Sequence, residues 1–164
     1  MATRPRSRAR LEEDADLGFL RDDGSPARLE RRADVVSSGP LPDTDTPLVV
    51  QVSRWDPLKD MQGGMQGFAL LLDHPCPVVP HLILAGPDTR GVTDDPEGAR
   101  VFEDALRRWH ELPGSVRGRV HLARLPTEDV EENAAVVNAL QRHATVVVQK
   151  SLQEGFGLTV TEAM

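Results

Sequence analysis

Two pairs of charged residues in this 164-residue chain have side chains suited to phosphate and to sugar hydroxyls. Arg54 and Lys59 stand five positions apart in VSRWDPLKD, and a guanidinium fork with a flexible ammonium can address two phosphoryl groups together. Glu154 and Glu162 stand in QEGFGLTVTEAM, and a carboxylate can accept hydrogen bonds from two neighbouring hydroxyls. These residue types predict a site for a diphosphate and a diol.

The loop around Glu154 is suited to close contact with a ligand. Glu154 is followed by Gly155, Phe156 and Gly157, so backbone N–H groups can approach a ligand just before a predicted helix. Taken alone, the two pairs also fit ordinary surface positions. Arg54 and Lys59 would then lie in a solvated loop, and the two glutamates would be a helix-N-terminal carboxylate and a surface residue.

Lysine usage marks the same two segments. The chain has 19 basic residues, and only Lys59 and Lys150 are lysines. Lys150 stands directly before the Glu154 loop, so we include it as a weaker candidate for the same pocket. With only two lysines in the chain, chance is the competing explanation of their placement.

The hydrophobic pattern predicts the elements that position these residues. Short apolar runs alternate with amphipathic ones, which is typical of βαβ units on a parallel sheet. The predicted strands are LVVQVS (48–53), HLILAG (81–86), RVHLAR (119–124) and TVVVQK (145–150). Helices are predicted over 60–72, 96–112 and 130–143, with another from about Leu158. The predicted fold class is α/β, a Rossmann-like parallel sheet with flanking helices.

This topology places both charged pairs at one edge of the sheet. Arg54 and Lys59 follow the first predicted strand, and Glu154 follows the fourth. Ligands of such sheets bind outside the carboxyl ends of the strands, where loops and helix N-termini present free N–H groups.

Composition limits the remaining possibilities. The net charge of −7 argues against general nucleic-acid binding. The absence of a long apolar stretch argues against a membrane span and favours a cytoplasmic protein. The single cysteine excludes an internal disulfide, and no metal-ligand cluster is evident. We expect residues 1–46 to form an irregular arm or linker and residues 47–164 to form the folded domain.

Three segments carry a family resemblance: VVQVSRWDPLKD, LILAGP with TDDPEGARVFEDAL, and VVNALQRHATVVVQKSLQEGFGLTVTEAM. They resemble the donor domain of retaining GT-B glycosyltransferases, within the branch of trehalose-forming synthases and trehalose phosphorylases. The resemblance covers about residues 47–164, which would form a partial, truncated nucleotide-sugar donor domain. It implies that Arg54 and Lys59 are catalytic, because they would neutralise the departing diphosphate. Glu154 and Gly155 to Gly157 would contact the glucosyl group, and Glu162 would hold the ribose.

The resemblance implies a hexosyltransferase that moves glucose from a nucleoside diphosphate to a small sugar acceptor with retention, without a cofactor or metal. The domain that binds the acceptor has no counterpart in this sequence, so we expect the chain alone to be inactive or nearly so. A second chain that supplies this domain is one alternative. A stand-alone nucleotide-sugar-binding remnant and a trehalose phosphorylase that uses inorganic phosphate are the others.

Overall fold

The computed structural model describes residues 18–90 and 95–153. Within these ranges the strands are β1 (Gly18–Leu20), β2 (Pro26–Arg28), β3 (Asp34–Val36), β4 (Leu48–Val52), β5 (His81–Pro87), β6 (Val120–Leu125) and β7 (Val146–Val147). The helices are α1 (Met61–Leu72), α2 (Pro96–Glu111), α3 (Gly114–Arg117) and α4 (Val130–His143), and a 3-10 turn spans Pro57–Lys59. None of these helices is long and apolar enough to cross a membrane.

Strands β3 to β7 form one sheet in the order β3-β6-β5-β4-β7. The last four strands in chain order, β4 to β7, are parallel, whereas β3 runs antiparallel to β6. The register places Val50 opposite Ile83 on one side and Val147 on the other. The predicted α/β fold with a parallel, Rossmann-like sheet is confirmed.

Alternating side chains of the central strands supply two separate cores. Leu82, Leu84 and Leu122 face α1 and α2, where they pack in one cluster with Met65 and Phe102. The intervening strand positions Ile83, Ala85 and Ala123 form the second cluster on the opposite face. They pack there against Val137 and Leu140 of α4. Helices therefore cover both faces, which explains why these strands read as continuous apolar runs rather than as alternating ones.

Most predicted elements match the structure closely. The predicted helix over 130–143 has the observed bounds, and the other two differ by one residue at one end. Strand β7 is shorter than predicted, although Thr145 N and Val148 N still donate to Leu48 O and Val50 O at 2.8 and 2.7 Å. Val130 is 78% exposed although it is apolar, because it is the first residue of α4. The helix predicted from Leu158 lies outside the described residues.

The described part of the expected irregular arm contains three short strands. β1 and β2 form an antiparallel hairpin, and β3 extends the main sheet. The Arg21 guanidinium holds the hairpin against the start of α4, with nitrogen–oxygen distances of 2.7 Å to Asp129 and 2.5 Å to Glu131. This hydrogen bond lowers the pKa of Asp129 to about 2. Ion pairs thus dock a polar segment that its composition alone would leave loose, while the domain boundary at residue 47 stays a prediction.

Candidate functional site

The predicted site lies beside β4, where the order in which the chain adds strands to the sheet reverses. From β4 the chain adds β5 and then β6 on one side, and it then returns past β4 to add β7 on the other side. A crevice forms outside the carboxyl ends of such a pair of strands and is the usual ligand site in open α/β sheets. The loops that leave β4 and β7 contain Arg54 to Lys59 and Lys150.

A buried tryptophan anchors the first of these loops. Trp55 is 2% exposed, its indole N–H donates to Pro87 O at 2.8 Å, and its ring meets Phe102 edge-to-face at 4.9 Å. The adjacent Arg54 is 77% exposed in its side chain and contacts Asp56 at 3.4 Å. Because Trp55 turns inward, its neighbour Arg54 faces solvent at this edge. No role was predicted for Trp55, although a tryptophan next to a candidate site arginine is a signal for such an anchor.

The backbone at Lys59 is held from inside the sheet. Asp56 Oδ1 accepts the Leu58 N–H at 2.8 Å and so caps the 3-10 turn that ends at Lys59. Gln51, fully buried on β4, donates its Nε2 to Lys59 O at 2.7 Å. The position of Lys59 is therefore fixed by a core side chain, and the Lys59 side chain itself is half-buried.

The loop after β7 contacts the loop after β4 at two points. Lys150 Nζ lies 2.5 Å from Asp60 Oδ2, and Leu152 N donates to Leu58 O at 2.8 Å. The structure thus brings Lys150 to the residue that directly follows Lys59. Lys150 was predicted to line this pocket, whereas Asp60 was not.

The remaining predicted site residues lie outside the described part of the chain. They are Glu154, Gly155, Phe156, Gly157 and Glu162. The last described residue before them is Gln153, which follows Leu152. Their roles therefore stay predictions.

Two of the glycines in α1 are explained by contacts with the site. A side chain at Gly63 would overlap the Asp60 carboxylate, which accepts the Gly63 N–H at 3.0 Å. A Cβ at Gly64 would lie 3.2 Å from Gln51 Oε1. A cavity of about 230 Å³ lies beside them, between α1 and the β4 and β7 strands, with Val148 and Lys150 in its wall. Both glycines therefore allow α1 to pack closely against the loop after β4 and against Gln51.

Two histidines, His81 and His121, contact each other at the opposite edge of the sheet. His81 Nδ1 is 2.8 Å from His121 Nε2, and His121 Nδ1 is 3.0 Å from Ser37 Oγ, near the amino ends of β5 and β6. Burial, with the neighbouring His81 as a second cause, lowers the pKa of His121 to about 4. Among the described residues no group of three or more His, Cys, Asp or Glu side chains could hold a metal ion.

Comparison with known proteins identifies sequence relatives of this chain. The chain is 37% identical to a trehalose synthase from Pyrococcus horikoshii and 34% identical to one from Rubrobacter xylanophilus, each over 122 residues. These matches cover 74% of this chain and 26% of each relative. A trehalose phosphorylase from Grifola frondosa is 27% identical over 121 residues, which cover 71% of this chain and 15% of the relative. The chain therefore spans about a quarter or less of the length of these relatives.

A solved structure shares the fold. The UDP-forming alpha,alpha-trehalose-phosphate synthase from Burkholderia xenovorans matches with a TM-score of 0.57 and 22% identity. The match covers 72% of this chain and 26% of that one. No family model matches the chain.

Proposed function

Because this chain is a member of the GT-B group that includes trehalose synthases and trehalose phosphorylase, we propose that the edge where β4 and β7 end binds a nucleotide-sugar donor. Arg54 and Lys59 bind the donor diphosphate, and Lys150 lines the same pocket. Glu154 and the Gly155–Gly157 segment contact the glucosyl hydroxyls, and Glu162 holds the ribose. The chain spans 26% of the trehalose synthases it matches, so transfer to a sugar acceptor is likewise proposed for the whole protein.

The observation that carries this proposal is the contact between the two loops. Leu152 N donates to Leu58 O at 2.8 Å, which joins the segment that leads into Glu154 to the turn that ends at Lys59. Residues separated by almost a hundred positions therefore converge on one crevice. A diphosphate and the sugar attached to it need such a juxtaposition, because their binding groups must be neighbours.

The chemistry assigned to these residues is stabilisation of a leaving group. When glucose is transferred, the bond between its anomeric carbon and the diphosphate oxygen breaks, and negative charge develops on the diphosphate. Positive groups placed before the reaction stabilise this charge without having to reorganise. Arg54 supplies a forked guanidinium and Lys59 an ammonium held on a fixed backbone. The proposed reaction retains the anomeric configuration, forms trehalose, and uses neither a metal nor an organic cofactor.

The similarity to a trehalose phosphorylase supports a second candidate. In a phosphorylase the same positive edge would bind inorganic phosphate or glucose 1-phosphate in place of a nucleoside diphosphate. A third possibility, a nucleotide-sugar-binding module without transfer activity, would use the same residues.

Calorimetric titration of the purified chain separates the two nucleotide-binding candidates from the phosphorylase. The ligands are UDP, ADP and GDP, their glucose conjugates, inorganic phosphate and glucose 1-phosphate. Binding of a nucleoside diphosphate supports the donor site, whereas binding of phosphate and glucose 1-phosphate without nucleotide supports the phosphorylase. If none of these ligands binds, the proposed site is refuted.

One substitution tests the ribose contact. Glu162→Ala should weaken the binding of the nucleotides and leave the binding of glucose 1-phosphate unchanged. Glu103→Ala, an exposed position on α2, is the matched control and should change neither. Equal weakening of nucleotides and glucose 1-phosphate by the Glu162 substitution would rule out the ribose role.

A further inference from the structure

Asp60 connects three parts of the candidate site. Its Oδ1 accepts the Gly63 N–H at 3.0 Å and so caps α1, and its backbone carbonyl accepts the Gly64 N–H at 3.0 Å. Its Oδ2 lies 2.5 Å from Lys150 Nζ. One carboxylate therefore joins the loop after β4, the start of α1 and the loop after β7.

The backbone at Asp60 also fits a junction. Asp60 has φ 44° and ψ 50°. In the described part of the chain, no other residue except glycine has a positive φ. Aspartate and asparagine adopt this left-handed conformation more readily than other side chains do. The turn lets the chain pass from the 3-10 turn at Lys59 directly into α1, so that the Asp60 carboxylate faces the β7 loop.

The ion pair lies where it can orient Lys150 without hiding it. The Lys150 side chain is 46% exposed, whereas the Asp60 side chain is 22% exposed. An ammonium has three N–H donors, so a lysine bound to one carboxylate can still donate to a phosphate. The Leu152–Leu58 hydrogen bond fastens the same loop two residues further on.

We propose that Asp60 is a positioning residue, which holds Lys150 and the segment leading into Glu154 against the phosphate-binding loop. This inference rests on the proposed donor site. In this account the carboxylate is not a group that an incoming diphosphate must displace. One oxygen anchors the carboxylate at the start of α1, and the other holds Lys150. The loop after β7 is therefore in place before the ligand arrives, which reduces the entropy lost when the ligand binds.

Asp60→Asn is the decisive variant. Asparagine keeps the left-handed backbone and an oxygen that can cap α1, but it removes the charge that holds Lys150. Asp73→Asn makes the same charge change at the other end of α1, about 18 Å away for a twelve-residue helix. It is therefore the charge-matched control.

Amide hydrogen exchange tests the positioning without any ligand. The Leu152 amide should exchange about threefold faster in Asp60→Asn than in the wild type, because the loop loses its attachment through Lys150. Asp73→Asn should leave its exchange rate unchanged. Unchanged Leu152 exchange in Asp60→Asn would overturn the inference, whether or not nucleotides bind.

Binding separates positioning from obstruction. If the wild type binds a nucleoside diphosphate, Asp60→Asn and Lys150→Met should each weaken it by about fivefold, and the double variant should be no weaker than Lys150→Met. Tighter binding by Asp60→Asn would contradict positioning and indicate that the carboxylate opposes the ligand. Failure of the wild type to bind would refute the proposed function instead, and the exchange result would then decide the role of Asp60.

Discussion

The buried carboxamide of Gln51 donates a hydrogen bond to the carbonyl oxygen of Lys59, with a distance of 2.7 Å between the nitrogen and the oxygen. This bond fixes the orientation of the amide, so its Oε1 points toward Gly64, and this buried oxygen has no hydrogen-bond partner. A polar residue in the middle of β4 thus serves the loop beyond the strand. It holds the backbone of a proposed phosphate-binding residue.

Gln51→Leu should affect binding more than stability. The substitution leaves the Lys59 carbonyl without its partner, but it also removes an unpaired buried oxygen, so we expect the free energy of unfolding to change by less than about 1 kcal/mol. Affinity for the nucleoside diphosphate should fall severalfold, because Lys59 loses its support. Gln66→Leu, an exposed position on α1, is the control. Loss of stability without loss of affinity would show that Gln51 serves only the core.

The glycines of α1 should respond differently to alanine. No atom lies within 4 Å of a Cβ at Gly67, so Gly67→Ala should stabilise the protein by about 1 kcal/mol through helix propensity. Gly63→Ala should gain nothing, because the new methyl displaces the Asp60 carboxylate and the lost cap costs about 1 kcal/mol. Chemical denaturation of both variants measures this difference. Equal stabilisation by the two substitutions would mean that the Asp60 cap contributes little.

The strands and helices around the site could be predicted because local pattern determines them. β4, β5 and β6 are buried on both faces and are therefore mainly apolar, and α2 shows its buried stripe at helical spacing. The convergence of Arg54 and Lys150 on one edge followed from this topology. These predictions needed no knowledge of individual contacts.

Other features depend on contacts between distant residues. β3 is three residues long and is held by pairing with β6, so composition alone did not indicate a strand. Glu132 reads as a surface residue, yet it is 2% exposed because backbone N–H groups of Glu30 and Arg31 bind it. Asp60 was missed because its role requires Lys150, 90 positions away. Such pairs become visible only once the chain is folded.

Stability should fall as the pH is lowered below about 6.5, because His121 is buried in its neutral form. Its pKa in the folded protein is about 4, so between pH 6.5 and pH 4 the histidine is protonated in the unfolded chain but still neutral in the folded one. The free energy of unfolding therefore decreases over this range. The loss attributable to His121 reaches about 3 kcal/mol at pH 4. The His81 pKa is also lowered, chiefly by burial, and acts in the same direction.

Urea denaturation between pH 7 and pH 4 measures this loss. His121→Gln should flatten the pH dependence relative to the wild type, whereas His110→Gln, at an exposed position on α2, should not. Carboxylates contribute equally in all three proteins, so the difference between the two variants isolates the buried histidine. Parallel curves for both variants would contradict the assigned role of burial.

The attachment of the amino-terminal segment to α4 should weaken when Glu132 loses its charge. Glu132 accepts the Arg31 N–H at 2.8 Å and pairs with the Arg31 guanidinium, and these contacts lower its pKa. Glu132→Gln should therefore accelerate proteolytic cleavage between residues 18 and 36. Glu103→Gln removes a charge from an exposed side chain on α2 and is the control. Equal cleavage of both variants would show that the hairpin is held by other contacts.

The central claim is that the loops after β4 and β7 form one donor site, and an NMR titration of the isotope-labelled chain tests it most directly. The titrant is the nucleoside diphosphate or glucose conjugate that binds most tightly by calorimetry. Amide shifts should change together, with one dissociation constant, at Lys59 to Gly64 and at Lys150 to Leu152, while His81 and His121 at the other edge stay unchanged. Shifts confined to one loop, or centred on the histidine edge, would contradict the account.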